Sequence, residues 1–520
     1  MLKRMFPSSL IPALLVLAVA AAAVAQAPQY AQAPTKGVQT PAKSAQIPKG
    51  PRPEKLAYPP LDFKPPKPSE YRTTLSNGLV VYIAEDHDIP WFNASLMVRT
   101  GPFLEPGGKL GVDSFTSTVM RTGGSTTMSG ELINERMDFL AGSVSPTSLS
   151  IHMRHLDEGI RIWMDLVNNP ALPEDKLRRE KDLAIPPIRN RNKNVSQVGS
   201  RAFNQLIYGA DSPITAERTE AGINSITRDD LISWHKKYWG ANNAILIVTG
   251  DFKKAGMLQK LESSFGKWRT ADKAVPPIPK VQQVAKAGVY MVQPEVIPNQ
   301  GIIRIGHLGI MQDDPDYPAV DLMNYILGGG SFSSRITKVV RTDNGLAYTA
   351  NSSFGGGAIY PGVFSAFCQT KNSTVVFAAQ LMTDLIEGMR AGDVSESDLK
   401  FAKTARVNAF PAMFSSLSSI LRNFAALEYN NRPMDYYDNY VSRYQKVTLA
   451  DIKRVAQKWL QADKTIVLVA GNIEECKAGA DRLLPNQATI DAMAAKFGGR
   501  TIDGLAKKYG DGTVHIVSLK

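Results

Sequence analysis

Apolar and polar residues fall into two recurring patterns along the chain. In Thr73-Thr74-Leu75-Ser76-Asn77-Gly78-Leu79-Val80-Val81-Tyr82-Ile83 a turn dipeptide, Asn77-Gly78, precedes a β-branched run, which predicts a hairpin. A second strand is expected over Asn93 to Arg99. A loop with Gly101, Pro102, Pro106, Gly107 and Gly108 follows, and then a helix from Gly111 to Met120. Strand-like and helix-like stretches alternate from there.

One unit occurs twice. Thr227-Arg228-Asp229-Asp230-Leu231 through Ala244-Ile245-Leu246-Ile247-Val248-Thr249-Gly250 matches Thr448-Leu449-Ala450-Asp451-Ile452 through Thr465-Ile466-Val467-Leu468-Val469-Ala470-Gly471 at a constant offset of 221 positions. In each copy a Thr stands where a helix N-cap belongs, an amphipathic helix ends at an aromatic residue (Tyr238, Trp459), and a buried strand runs into Gly. Two long copies imply a duplicated α+β domain rather than a solenoid. The expected fold is therefore two homologous α/β sandwich-like domains, residues 71–275 and 276–475, divided at the Pro-containing stretch Ala274 to Pro279. Residues 476–520 form a weakly patterned tail with a possible strand from Thr513 to Ser518.

Composition adds an export signal and a tether. Lys3 and Arg4, an apolar run from about Leu10 to Val24 and the small triplet Ala23-Val24-Ala25 read as a signal peptide, residues 1–25, removed on export to the periplasm or another external compartment. No later stretch is apolar enough to span a bilayer. Residues 26–70 hold eleven prolines and almost no apolar periodicity, as expected of an extended tether. The formal charge of +12 falls to +10 when Lys3 and Arg4 leave. The basic residues form no block, which argues against dedicated nucleic-acid binding. Cys368 and Cys476 are too few for a disulfide scaffold; one bridge or two buried thiols are both open.

Several segments resemble the pitrilysin/insulinase metallopeptidases. In the first half these are Leu75-Ser76-Asn77-Gly78-Leu79, the Gly/Pro loop, Gly111 to Gly124, and Asn169-Pro170-Ala171-Leu172-Pro173 with Arg179-Glu180. In the second they are Gly328-Gly329-Gly330-Ser331-Phe332-Ser333-Ser334-Arg335 and Arg341 through Gly345-Leu346-Ala347-Tyr348. The resemblance covers roughly residues 71 to 475 and implies half of a clam-shell. Active members bind zinc through an inverted H-x-x-E-H helix plus a distal Glu. Here that helix reads Ser114-Phe115-Thr116-Ser117-Thr118, so Ser114 and Thr118 replace the imidazoles and Ser117 the general base. The distal position, counted from Arg179-Glu180, falls at Pro187. Neutral hydroxyls are poor zinc ligands and Ser117 is no base near neutral pH, so this chain is expected to hold no metal and to be inactive alone.

Other candidates are weaker. His152 and His155 lie where a strand passes into a helix and have no third ligand at a suitable spacing. Ser114, Ser117 and the Ser331-Phe332-Ser333-Ser334 cluster lack a nucleophile elbow, and capping or turn bonding accounts for such serines. The triplets Gly328–Gly330 and Gly355–Gly357 lack a phosphate-loop context and are expected to be flexible turns.

Arg341 and Tyr348 remain. A helix carrying Arg341 can end at Gly345 and reverse into a strand carrying Tyr348, bringing the two polar tips together. The resemblance implies that such a pair steadies the attacked carbonyl at a zinc site, and that in two-chain bacterial relatives the non-zinc subunit supplies it. The expected function is thus a non-zinc subunit that pairs with a zinc-bearing homologue and binds unfolded peptides, the zinc residing in that partner. A non-catalytic peptide-binding or assembly scaffold is the alternative.

Overall fold

The strands of the first half are β1 (Arg72–Thr74), β2 (Val80–Glu85), β3 (Trp91–Val98), β4 (Ser143–Ser145), β5 (Ser148–His152) and β6 (Ala244–Gly250). They form one sheet in the order β1-β2-β6-β3-β5-β4. β1 and β2 are the expected hairpin: Thr74 faces Val80, and Gly78 makes the turn at a φ of 87°, a left-handed conformation that favours glycine. The second half supplies β7 (Gly288–Val292), β8 (Gln300–Leu308), β9 (Ile310–Met311), β10 (Thr349–Phe354), β11 (Gly356–Gly357), β12 (Val363–Lys371), β13 (Ile466–Ala470) and β14 (Val514–Ile516). Its large sheet runs β10-β12-β8-β13-β7-β14, while β9 and β11 pair separately. The computed structural model describes residues 63–272, 280–478 and 502–519; the leader at 1–25, most of the Pro-rich stretch and the boundary at 274–279 lie outside them.

The duplication extends to the sheet order. β2-β6-β3-β5-β4 and β7-β13-β8-β12-β10 have the same sequence of pairings: the first pair is parallel and the next three are antiparallel. The helices that bear on the site are α1 (Val112–Gly123), α2 (Glu174–Asn190), α3 (Val195–Tyr208), α4 (Arg228–Tyr238), α5 (Leu417–Tyr429), α6 (Leu449–Trp459) and α7 (Ile502–Tyr509). Thr227 and Thr448 start α4 and α6 with full capping boxes. In each, the Thr hydroxyl accepts the N–H of an Asp three residues on, and that carboxylate accepts the Thr N–H.

Each large sheet is covered on both faces, which explains the continuous apolar run in β6 and β13. Leu246 and Val248 of β6 face the first half's own helices, whereas Ile245 and Ile247 join Phe410, Phe414, Leu421 and Phe424 of the second half. The reverse holds in β13: Val467 and Val469 face their own helices, and Ile466 and Leu468 join Val198, Phe203 and Ile207 of α3 from the first half. The halves therefore exchange helices, α3 covering the second sheet and α5 the first. Arg72 anchors α5 through Nε and Nη2 to the Glu428 carboxylate at 2.8 and 2.7 Å, and the Tyr82 hydroxyl donates to the same carboxylate at 2.7 Å.

The folded body also extends beyond residues 71–475. Phe63 packs on Phe410 and Phe414 with ring centroids 5.7 Å away, and Lys67 pairs with Asp438 at 2.7 Å, so the last residues of the expected tether are docked. At the other end, α7 is buried in the second core and β14 adds to the sheet edge beside β7.

Candidate functional site

α1 begins at Gly111, whose φ of 119° lets the chain turn sharply into the helix. The Glu105 carboxylate accepts the N–H groups of Gly111 and Asp113 at 2.9 and 2.7 Å, satisfying donors that a helix start leaves open. Burial raises the pKa of Glu105, against the lowering effect of those bonds. Ser114 donates to the Gly111 carbonyl at 3.0 Å and accepts from Arg218 Nη2 at 2.7 Å. The Arg218 guanidinium also lies over the Phe115 ring, 5.9 Å from its centroid. Arg218 thus brings a positive charge to α1 and engages the Ser114 hydroxyl.

Ser117 is partly exposed and Thr118 exposed on the same helix. α2 packs beside α1 and carries Pro187, exposed and without a side-chain donor atom, next to Pro186. Among the described residues, no three His, Cys, Asp or Glu side chains gather closely enough to hold a metal ion. The Nδ1 of His152 accepts the Arg154 N–H at 3.0 Å, and its ring meets Trp91 edge-on, so it caps a short helical turn. Cys368 and Cys476 are both buried free thiols, and burial pushes each pKa up to about 12.

The second group forms around Arg341. Thr337–Asp343 is a π-helical segment, and the chain leaves it through Gly345 at a φ of 61°, with the Leu346 N–H bonded to the Val340 carbonyl at 3.1 Å. This turn sets Tyr348 immediately before β10, within reach of Arg341. The guanidinium carbon lies 4.8 Å from the Tyr348 ring centroid and 4.7 Å from that of Phe332. Tyr348 is 85% and Phe332 66% exposed, so two rings and a permanent cation form one outward-facing cluster. Phe332 is the member that residue types alone did not single out; its signal was an aromatic residue in the Gly/Ser-rich segment.

That segment is not a flexible turn. Gly328 and Gly329 close a second π-helical segment, Tyr325–Gly329, and a Cβ on Gly328 would collide with Ser352 of β10, so glycine there permits close packing. The serines make turn bonds as expected: Ser333 donates to the Gly330 carbonyl at 2.8 Å and Ser334 to that of Ser331 at 2.7 Å. The structure brings Arg341 and Tyr348 together, and it brings Ser114 to Arg218. The two groups belong to different halves, α1 in the first core and the Arg341 helix in the second.

Residues 225–406 match the family model described as Peptidase M16 inactive domain. This part of the chain is similar to the M16 peptidase family. The Helicobacter pylori protein named non-peptidase homolog YmxG is 23% identical over 395 residues, covering 72% of this chain and 87% of that protein. Zinc protease PqqE of the same organism is 20% identical over 410 residues, covering 76% of this chain and 91% of its own length. The crystal structure of a peptidase M16 inactive domain from Pseudomonas fluorescens shares the fold, with a TM-score of 0.66 at 22% identity over 77% of this chain and 97% of that one. The similarity is to a domain described as inactive and to a protein named a non-peptidase homologue, and Ser114, Ser117 and Thr118 of α1 all carry hydroxyls.

Proposed function

We propose that this chain is the non-zinc subunit of an exported two-chain peptidase, placing Arg341 and Tyr348 at the active site of a zinc-bearing homologue. The observation that carries the reading is the exposed Phe332–Arg341–Tyr348 cluster on a chain whose own zinc helix holds only hydroxyls. A guanidinium and a phenolic donor suit an oxyanion that develops when a peptide carbonyl is attacked, and they have no such task in a chain that works alone. The similarity to both a non-peptidase homologue and a zinc protease of one organism fits a division of labour between two chains. Peptides would add as a strand to a sheet edge, so that backbone is read more than side chain. The leader at residues 1–25 supports export.

Co-expression with a zinc-bearing homologue and a peptide-cleavage assay test the reading. Arg341→Ala is expected to lower kcat/KM of the complex by about 10²-fold, the order seen when one oxyanion donor is removed, and Tyr348→Phe by a smaller factor. Unchanged activity in both variants would refute the assignment. A second reading, a peptide-binding or assembly scaffold, is favoured by the name of the non-peptidase relative and predicts no complex with a zinc-bearing homologue.

A further inference from the structure

Away from both groups, the helical layer of the second half forms an open cleft of about 430 Å³. Its walls come from the helix Tyr317–Asn324, the helix Glu396–Ala409, the C-terminal end of α5 and the chain from Asn430 to Tyr444. Tyr317, Asp321, Arg406, Arg432, Tyr436 and Tyr440 dominate the lining.

The charges in this wall do not balance. Both oxygens of Asp321 are engaged, by Arg406 Nη2 at 2.6 Å and by the Tyr444 hydroxyl at 2.9 Å, so its charge is matched by Arg406. Arg432 makes no ion pair among the described residues, and Arg443, beside the cavity but not part of its lining, bonds the Tyr436 carbonyl at 2.8 Å. Both guanidiniums lie over the Tyr436 ring, with carbons 5.1 and 4.5 Å from its centroid. Two like charges sharing one ring repel. An anion held by Arg432 would offset that repulsion.

We propose that this cavity binds a carboxylate carried on an aromatic body. The planar guanidinium of Arg432 matches the carboxylate fork, the tyrosine rings offer faces for stacking, and the volume lies in the range of small-molecule sites, roughly 300–1,000 Å³. One uncompensated guanidinium in the lining suits a monoanion better than a polyphosphate. The carboxylate can belong to a free aromatic acid or to the C-terminal residue of a peptide.

Isothermal titration of the full chain distinguishes the cases with three probes: N-acetyl-phenylalanine, its neutral amide, and a pentapeptide ending in phenylalanine with a free carboxylate. The acid is expected to bind at least about tenfold more tightly than the amide, and Arg432→Gln to weaken it by about tenfold or more. Arg432→Lys, which keeps the charge and loses the fork, should fall between the native chain and Arg432→Gln, so that loss of folding is not mistaken for loss of the site. Peptide affinity equal to that of the acid marks a chain terminus as the ligand, and at least tenfold weaker peptide binding marks a free acid. Equal affinity for acid and amide, no binding of the acid at on the order of 10 mM, or an unaltered Arg432→Gln variant would overturn the proposal.

Discussion

The exchange of helices between the halves makes a quantitative prediction at Gly199. This residue lies in α3 where the helix crosses the second sheet. A Cβ there would overlap Ile302 Cδ1 and lie 2.9 Å from Ile302 Cγ1 and 3.1 Å from the Ala470 side chain. Gly256, in the helix Lys254–Phe265, is exposed and has nothing within 4 Å of the same position. Replacing either by Ala gains helix propensity, about 1 kcal/mol, while only Gly199→Ala adds a methyl to a filled interface, at about 1–3 kcal/mol. The propensity gain cancels between the two variants, so their difference isolates the steric cost. Gly256→Ala should be stabilised by about 0.5–1 kcal/mol. Gly199→Ala should lie about 1–3 kcal/mol below it.

Urea unfolding followed by tryptophan fluorescence measures both variants. Ile302→Val removes the atom that overlaps the new methyl. Alone it should cost about 0.5–1.5 kcal/mol, and combined with Gly199→Ala it should cost less than the sum of the two single changes. If Gly199→Ala were as stable as Gly256→Ala to within about 0.3 kcal/mol, α3 would not be pressed against the second sheet in solution and the interlocked arrangement would be wrong.

Further predictions concern charge. Glu428→Ala removes the acceptor shared by Arg72 and Tyr82 and should destabilise by about 2–3 kcal/mol, measured by the same unfolding assay. Asp316 is buried, which would raise its pKa, but hydrogen bonds from Lys458, Trp459 and Arg454 outweigh burial and hold it down to about 2. Its stabilisation is full above the unfolded carboxylate value near 3.9 and fades as pH falls towards 2, a dependence that Asp316→Asn should remove from the acid-unfolding curve. His87 is hydrogen-bonded to Asp251 and then to Glu85, which raises its pKa. Its contribution is complete below the unfolded value near 6.5 and is lost as pH rises through the folded one, and Asp251→Asn should shift its NMR titration back downward. Restoring His, Glu and His at Ser114, Ser117 and Thr118 should not by itself give tight zinc binding in a metal-content assay, because Pro187 offers no third ligand and Arg218 already brings a positive charge to the helix.

What could be read from the chain, and what could not, divides along the range of the interactions. The hairpin at Asn77-Gly78, the two N-caps at Thr227 and Thr448 and the buried strands after them are set by residues a few positions apart, and each was legible. The Arg341–Tyr348 pairing was legible for the same reason, since Gly345 reverses the chain between them. Arg218 was not: it reaches Ser114 across 104 residues, and no local pattern marks which arginine will settle beside α1. Nor was the exchange of α3 and α5. An amphipathic helix declares that it has an apolar face, but not which sheet that face will meet. Here Phe203 and Phe424 could have covered their own halves and instead cover each other's, so a boundary near residue 275 separates two repeats in sequence without separating two folding units. Residues 71–275 expressed alone would leave Tyr82, Ile245 and Ile247 without Phe410, Phe414 and Phe424, and α3 without its sheet. The duplicated halves are therefore expected to fold only together, and the Arg341 cluster of the second half is expected to depend on the first half for its stability.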